Sequence, residues 1–328
     1  MIRTVLGDVD PAELGTTDYH EHLFQVSPLL PGDELDDEDL SGVEAALLRD
    51  SGFAAMVDAT PISLGRDPEA LARISSGTGL RIVATTGRHR EAHYAADHPI
   101  RALDVDDLAA RFVREIVEGM PRDDVDPSGA PAVAPDGGPV RAGLLKGGAD
   151  YWRIGDFERT TLLAVAAAHR TTDAPVMVHL EFCTAAHEVL DLLAGEGVAS
   201  DRVVLAHADR DPDPGLHASL VERGAHLGYD GFARPRTRSD AELLTLTAAV
   251  VDRVGADRIV LGGDVARRTR YIAYGGMPGL GYLGERYLPR LRDAVGDDAV
   301  DRMLVANPAR LLSLSAAPGP VPGSAPGR

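Results

Sequence analysis

Short apolar runs alternate with longer stretches whose apolar positions recur every three or four residues. The short runs, at 15–19, 53–59, 81–86, 140–146, 175–179, 203–207, 225–229 and 259–264, are predicted strands. The longer stretches, among them 104–118, 156–170 and 185–196, are predicted amphipathic helices. In one of them Leu162, Val165, Ala166 and His169 share a face. Strand–helix alternation repeated eight times requires parallel strands joined by crossover helices. A doubly wound open sheet would carry a glycine-rich dinucleotide loop after its first strand. Here the first strand runs into His20-Glu21-His22. The expected fold is therefore α/β: a single-domain (β/α)8 TIM barrel over residues 1–315. Residues 121–139, rich in Pro, Gly, Asp and Ala, are expected to form a flexible insertion at the N-terminal face. The Pro/Gly/Ser-rich tail 316–328 is expected to be disordered.

Charge narrows the partners. The 328 residues include 51 acidic and 33 basic side chains, a net charge of −18. Such a surface repels nucleic acid and anionic membranes, leaving a small-molecule substrate as the expected partner. A homodimer stays open. The one cysteine, Cys183, permits no internal disulfide. No signal-peptide core or membrane-length apolar run is present, so the expected location is cytoplasmic.

Of the 33 basic residues, 32 are arginine and one, Lys146, is lysine. A GC-rich genome replaces lysine wherever arginine suffices, so Lys146 marks a position where arginine does not. It ends the fourth predicted strand. The first strand leads into His20 and His22, the fifth ends in His179, the sixth in His207 and the eighth in Asp264. Barrel sites form where the C-terminal strand ends converge. Strand alternation points His20 and His22 the same way and Glu21 away. Burying these polar ends without a shared partner would cost several kcal/mol in total. A metal centre supplies that partner, and four histidines with an aspartate suit zinc, manganese, cobalt or iron. The other histidines (His89, His93, His98, His169, His187, His217 and His226) are read as structural or solvated. An ammonium cannot ligate a cation. A neutral lysine amine can be carboxylated to a bridging carbamate, a route closed to arginine. Lys146 is accordingly read as N6-carboxylysine between two divalent ions, zinc foremost.

The motifs Asp18-Tyr19-His20-Glu21-His22-Leu23, Gly143-Leu144-Leu145-Lys146, Pro175-Val176-Met177-Val178-His179, His207-Ala208-Asp209-Arg210-Asp211-Pro212-Asp213 and Gly263-Asp264-Val265-Ala266-Arg267-Arg268 resemble those of the phosphotriesterase-like branch of the amidohydrolase superfamily. The resemblance runs nearly the whole chain. It implies that His20, His22 and Asp264 hold a buried metal and His179 and His207 a more exposed one. Carboxylated Lys146 and a nucleophilic hydroxide would bridge them, with Asp264 passing the proton to the leaving group. The implied reaction is hydrolysis of an ester, lactone, amide or phosphoester.

Two arginine-rich loops, 230–238 and 267–271, follow the seventh and eighth strands. Against the acidic background they suggest an anion clamp. They resemble the loops of phosphorylated sugar lactonases, and Arg236, Arg267 and either Arg270 or Tyr271 are the candidates. The leading expectation is hydrolysis of a small ester or lactone, a phosphorylated sugar lactone first. Alternatives are an amidase for N-acyl amino compounds, a promiscuous phosphotriesterase or carboxylesterase, and a metal-binding protein without turnover.

Overall fold

The computed structural model describes residues 1–126 and 129–314. The tail 316–328 lies outside the described residues. A short antiparallel hairpin, β1 (Ile2–Thr4) and β2 (Gly7–Val9), comes first. It is too brief to register in the apolar pattern. Eight parallel strands follow: β3 (Thr17–Glu21), β4 (Ala55–Asp58), β5 (Arg81–Gly87), β6 (Ala142–Ala149), β7 (Val176–Leu180), β8 (Val203–Ala206), β9 (His226–Tyr229) and β10 (Ile259–Leu261). They pair in strict chain order. The last strand returns beside the first, where Asp264 N–H donates to the His20 carbonyl at 2.8 Å. The fold is the expected (β/α)8 barrel.

The crossovers are α1 (Glu38–Asp50), α2 (Pro68–Thr78), α3 (Val105–Val117), α4 (Asp156–Thr172), α5 (Ala186–Gly195), α6 (Pro214–Glu222) and α7 (Asp240–Val254). Local sequence sets where many of them begin. Asp37, Asp67, Asp104 and Asp213 each accept a first-turn backbone N–H. Ser239 and Glu242 form a reciprocal capping box at α7. Each cap fixes where a loop leaves the C-terminal face and becomes helix.

Strand alternation divides the core in two. Tyr19, Ala55, Val57, Val83, Leu144, Met177, Val204, Ala206 and Val260 fill the barrel interior, where Ile2, Leu14, Leu311 and Leu312 join them. The outward residues, such as Leu145, Val178 and Leu205, pack under the helices. Period two therefore places Lys146 on the inner face, two residues after Leu144. His179 likewise follows Met177.

Three of the ligand-bearing strand ends differ from expectation. The ladder continues past Lys146 to Ala149, whereas β8 and β10 stop at Ala206 and Leu261. His207 (φ 63°) and Asp264 (φ 41°) have left-handed backbone, which cannot continue a strand. The stretch 121–139 also differs. Its base pairs Met120 N–H with the Val140 carbonyl at 2.8 Å. From there it reaches the loop entering α2, where Asp124 accepts from Arg66 Nε at 2.8 Å. Arg66 in turn binds buried Glu115 at 2.8 Å, and Arg111 binds the same carboxylate at 3.0 Å. These contacts place the described part along the outside of the barrel rather than only at its N-terminal face.

Candidate metal centre

The six side chains picked out by strand ends meet at one point. His20 Nε2 lies 3.7 Å, and His22 Nε2 3.6 Å, from Asp264 Oδ1. Lys146 Nζ is 3.5 Å from His20 Nε2. His207 Nε2 and His179 Nδ1 face each other at 2.9 Å. All six are buried. His20, His22 and Asp264 form a group that could hold a metal ion.

The nitrogen turned away from this point explains why the inward one is free. An ionised carboxylate only accepts, so a histidine bound to one carries its proton on that side. His20 Nδ1 and His207 Nδ1 donate to the two oxygens of Asp230, at 3.1 and 2.6 Å. His179 Nε2 donates to Glu181 at 2.9 Å. His22 Nδ1 donates to Thr60 Oγ1 at 2.7 Å, because that hydroxyl gives its own proton to the Phe24 carbonyl. Each imidazole therefore presents a lone pair inward, the state a metal requires. Asp230 forms a second possible group with His20 and His207. Its oxygens are already engaged by those Nδ1 atoms and by the Tyr19 hydroxyl, so it orients the two imidazoles rather than offering a free ligand atom of its own. Gly228 permits this, since a Cβ there would collide with the Tyr19 hydroxyl.

Electrostatics agree with the ligand state. Burial pushes His20 down to about 4 and lowers His22, His179 and His207 as well. Burial would raise Asp264 and Asp230. For Asp264, nearby Arg234 with His20 and His207 outweighs it. For Asp230, His207 and the His20 hydrogen bond do so, and both groups stay ionised. Burial lowers Lys146 to about 8 against the pull of Asp264, Asp58 and Asp230. Its ammonium donates to the Ala59 carbonyl at 2.8 Å. A cluster of inward lone pairs, a carboxylate and an amine depressed toward neutrality fits a divalent-metal centre.

The cluster lines a cavity of about 180 Å³. The arginine candidates divide around it. Arg267 lines the cavity and pairs with Asp33 at 3.3 Å. Arg236 is exposed and does not line it. Arg270 turns behind the mouth to the carbonyls of Asp264, Val265 and Phe232. Tyr271 is fully buried, its hydroxyl donating to the His22 carbonyl. Three arginines not singled out in the sequence, Arg90, Arg210 and Arg234, line the cavity instead. Arg234 binds Asp264 Oδ2 at 2.7 Å and Arg210 at 3.3 Å. The sequence carried a signal for both: Arg210 closely follows His207, and Arg234 lies in the loop that supplied Arg236. Asp230 carried a signal too, as the polar residue directly after the seventh strand.

His89 and His93, read as structural or solvated, line the cavity too. Their rings stack at 3.7 Å, and His89 lies 4.6 Å from the His179 ring. Nothing in their spacing placed them there. They sit in the loop after β5, whose path is set by buried Arg88. That guanidinium binds the carbonyls of Ile100 and Phe157 and the Thr161 hydroxyl.

The sequence profile of the phosphotriesterase family matches residues 1–312. The chain is 30% identical to a phospho-furanose lactonase of Mycoplasmopsis agalactiae, over 95% of this chain and 91% of that one. It is 28% identical to an N-acetyltaurine hydrolase of Tetraodon nigroviridis, over 95% and 97%. The crystal structure of a lactonase from Listeria monocytogenes superposes with a TM-score of 0.85 at 30% identity, covering 96% of this chain and 99% of that one.

Proposed function

This chain belongs to the phosphotriesterase family, and from that premise we propose that it is a binuclear metal-dependent hydrolase of small esters or lactones, with a phosphorylated sugar lactone as its substrate. The observation that carries the reading is the inward lone-pair set of His20, His22, His179 and His207 around Asp264 and Lys146. Zinc is the first choice of metal for such donors. When bound, two divalent ions supply Lewis acidity and make water acidic enough to attack at neutral pH.

The chain's own residues do the rest. Lys146, lowered to about 8 by burial, has a usable neutral fraction near neutral pH. Carboxylation of its Nζ by carbon dioxide, with loss of a proton, gives two oxygens able to join two ions. Asp264 remains ionised and can take up a proton and return it to the leaving oxygen. Arg210, Arg234 and Arg267 bring positive charge to one side of the cavity, where an anionic substituent would bind. The similarity to a phospho-furanose lactonase supports a phosphate there. A second reading, amide cleavage of an N-acyl compound with an anionic head, is favoured by the similarity to an N-acetyltaurine hydrolase.

The test is proton release by metal-loaded protein on phosphorylated γ-lactones, unphosphorylated lactones, N-acetyltaurine, N-acyl amino acids and a phosphotriester. Phosphorylated lactones should be preferred. Preference for N-acyl compounds would establish the second reading. Zero turnover across the panel by protein carrying two metals per chain would identify a metal-binding protein without hydrolysis. A carbamate signal after reloading under ¹³C-labelled bicarbonate checks Lys146.

A further inference from the structure

The cavity has a second polar side that the proposed chemistry does not use. Gln25, in the loop after β3, is buried at 8% exposure, and its Oε1 has no hydrogen-bond partner among the described residues. His89 and His93, in the loop after β5, line the same cavity. These loops are joined. Ser27 Oγ lies 3.1 Å from His93 Nδ1 and also accepts the Leu29 N–H at 3.2 Å. His89 Nδ1 accepts the Arg90 N–H at 2.7 Å, which places the ring proton on Nε2. His93 stacks on His89, and His89 lies against the metal-side imidazole His179. Backbone and serine contacts thus hold the rings, while a carboxamide end is left without a partner.

We propose that Gln25, His89 and His93 form a hydroxyl-recognition wall, which binds the hydroxyl-bearing part of the substrate while the arginines hold its anionic end. The inference deepens the lactonase reading and rests on it. Carboxamides and imidazoles both donate and accept, as hydroxyls do. A phosphate or carboxylate only accepts and would leave the Gln25 oxygen unpaired. An aliphatic ligand would leave the Gln25 oxygen without a partner. A site built around a substrate hydroxyl rejects the analogue lacking it, because its own buried groups lose their partners.

The experiment compares D-ribono-1,4-lactone with γ-valerolactone in metal-loaded wild type, Gln25→Leu and His93→Phe. Phe at 93 keeps an aromatic ring over His89. Wild type should prefer the hydroxylated lactone. Each variant should lose about 10–100-fold in kcat/KM on it while changing γ-valerolactone by less than about threefold. Equal losses on both lactones, or no loss on either, would overturn the assignment. Absence of lactone turnover by wild type would be a failure of the enzymatic reading, and calorimetry with gluconate and hexanoate then tests the wall by itself. Tighter binding of gluconate that disappears in His93→Phe supports it. Indifference between the two acids overturns it. Should His93→Phe not fold, Gln25→Leu makes the same comparison.

Discussion

Replacing Asp230 by asparagine should weaken metal binding without removing a single ligand. Two imidazoles, His20 and His207, each need an acceptor at Nδ1, and the two Asp230 oxygens supply one apiece. Asparagine has one oxygen and one amide nitrogen. The nitrogen must face one imidazole as a donor, which draws that ring into the tautomer with its proton on Nε2 and blocks the inward lone pair. The alternative is a ring that loses its bond. Losing a hydrogen bond to a charged group costs about 1.5–3 kcal/mol. At about 1.4 kcal/mol per decade, that is one to two decades in affinity, in line with the roughly 10–100-fold typical of residues that orient metal ligands. The assay is chelator competition on protein loaded with zinc, alongside a thermal melt of the metal-free protein to confirm folding. A folded Asp230→Asn protein that binds zinc within about threefold of wild type would refute the tautomer argument.

Other outcomes follow from the same geometry. Lys146→Met should lose at least about 100-fold in activity and hold less metal, with partial rescue by short carboxylates; full metal content at wild-type turnover would contradict the carbamate. Arg267→Ala and Arg234→Ala should raise KM for a phosphorylated lactone about 10–100-fold, whereas Arg236→Ala should stay within about twofold, as steady-state kinetics would show. Glu115→Gln leaves Arg66 and Arg111 without their shared carboxylate and should cost about 3–5 kcal/mol in urea unfolding at pH 7. Burial would raise Glu115, but Arg66 and Arg111 outweigh it and lower it. Its stabilisation is therefore present above the ordinary glutamate pKa of about 4.3 and fades as pH falls through the lower folded value. The wild-type and Glu115→Gln unfolding curves should converge in acid, and a gap unchanged there would count against the linkage.

The candidate cluster was legible because it obeys a rule of position. Each of its side chains lies on a strand or just past its end, where an apolar run makes a polar residue conspicuous, and barrel closure brings those ends together. Lys146 and His179 were readable for a further reason. They sit two residues beyond inward-facing Leu144 and Met177. Loop residues obey no such rule. His89 and His93 reach the cavity only because Arg88 pins their loop to α4 and to the Ile100 carbonyl, contacts without a sequence period. The arginine loops show the same limit. The sequence placed positive charge in a loop that reaches the cavity, but backbone turns brought in Arg234 rather than Arg236 and sent Arg270 and Tyr271 to carbonyls behind the mouth.

The bond from Asp264 N–H to the His20 carbonyl has a consequence for the order of events during synthesis. It joins the last strand to the first beside the candidate metal centre, and His20 and His22 leave the ribosome long before Asp264 exists. No single strand end supplies more than two of the six side chains. A nascent chain therefore has no preformed seat for an ion, and metal loading must wait for ring closure. Chelators should leave early folding untouched and act only on the closed barrel, the reverse of small domains that metal folds from the start.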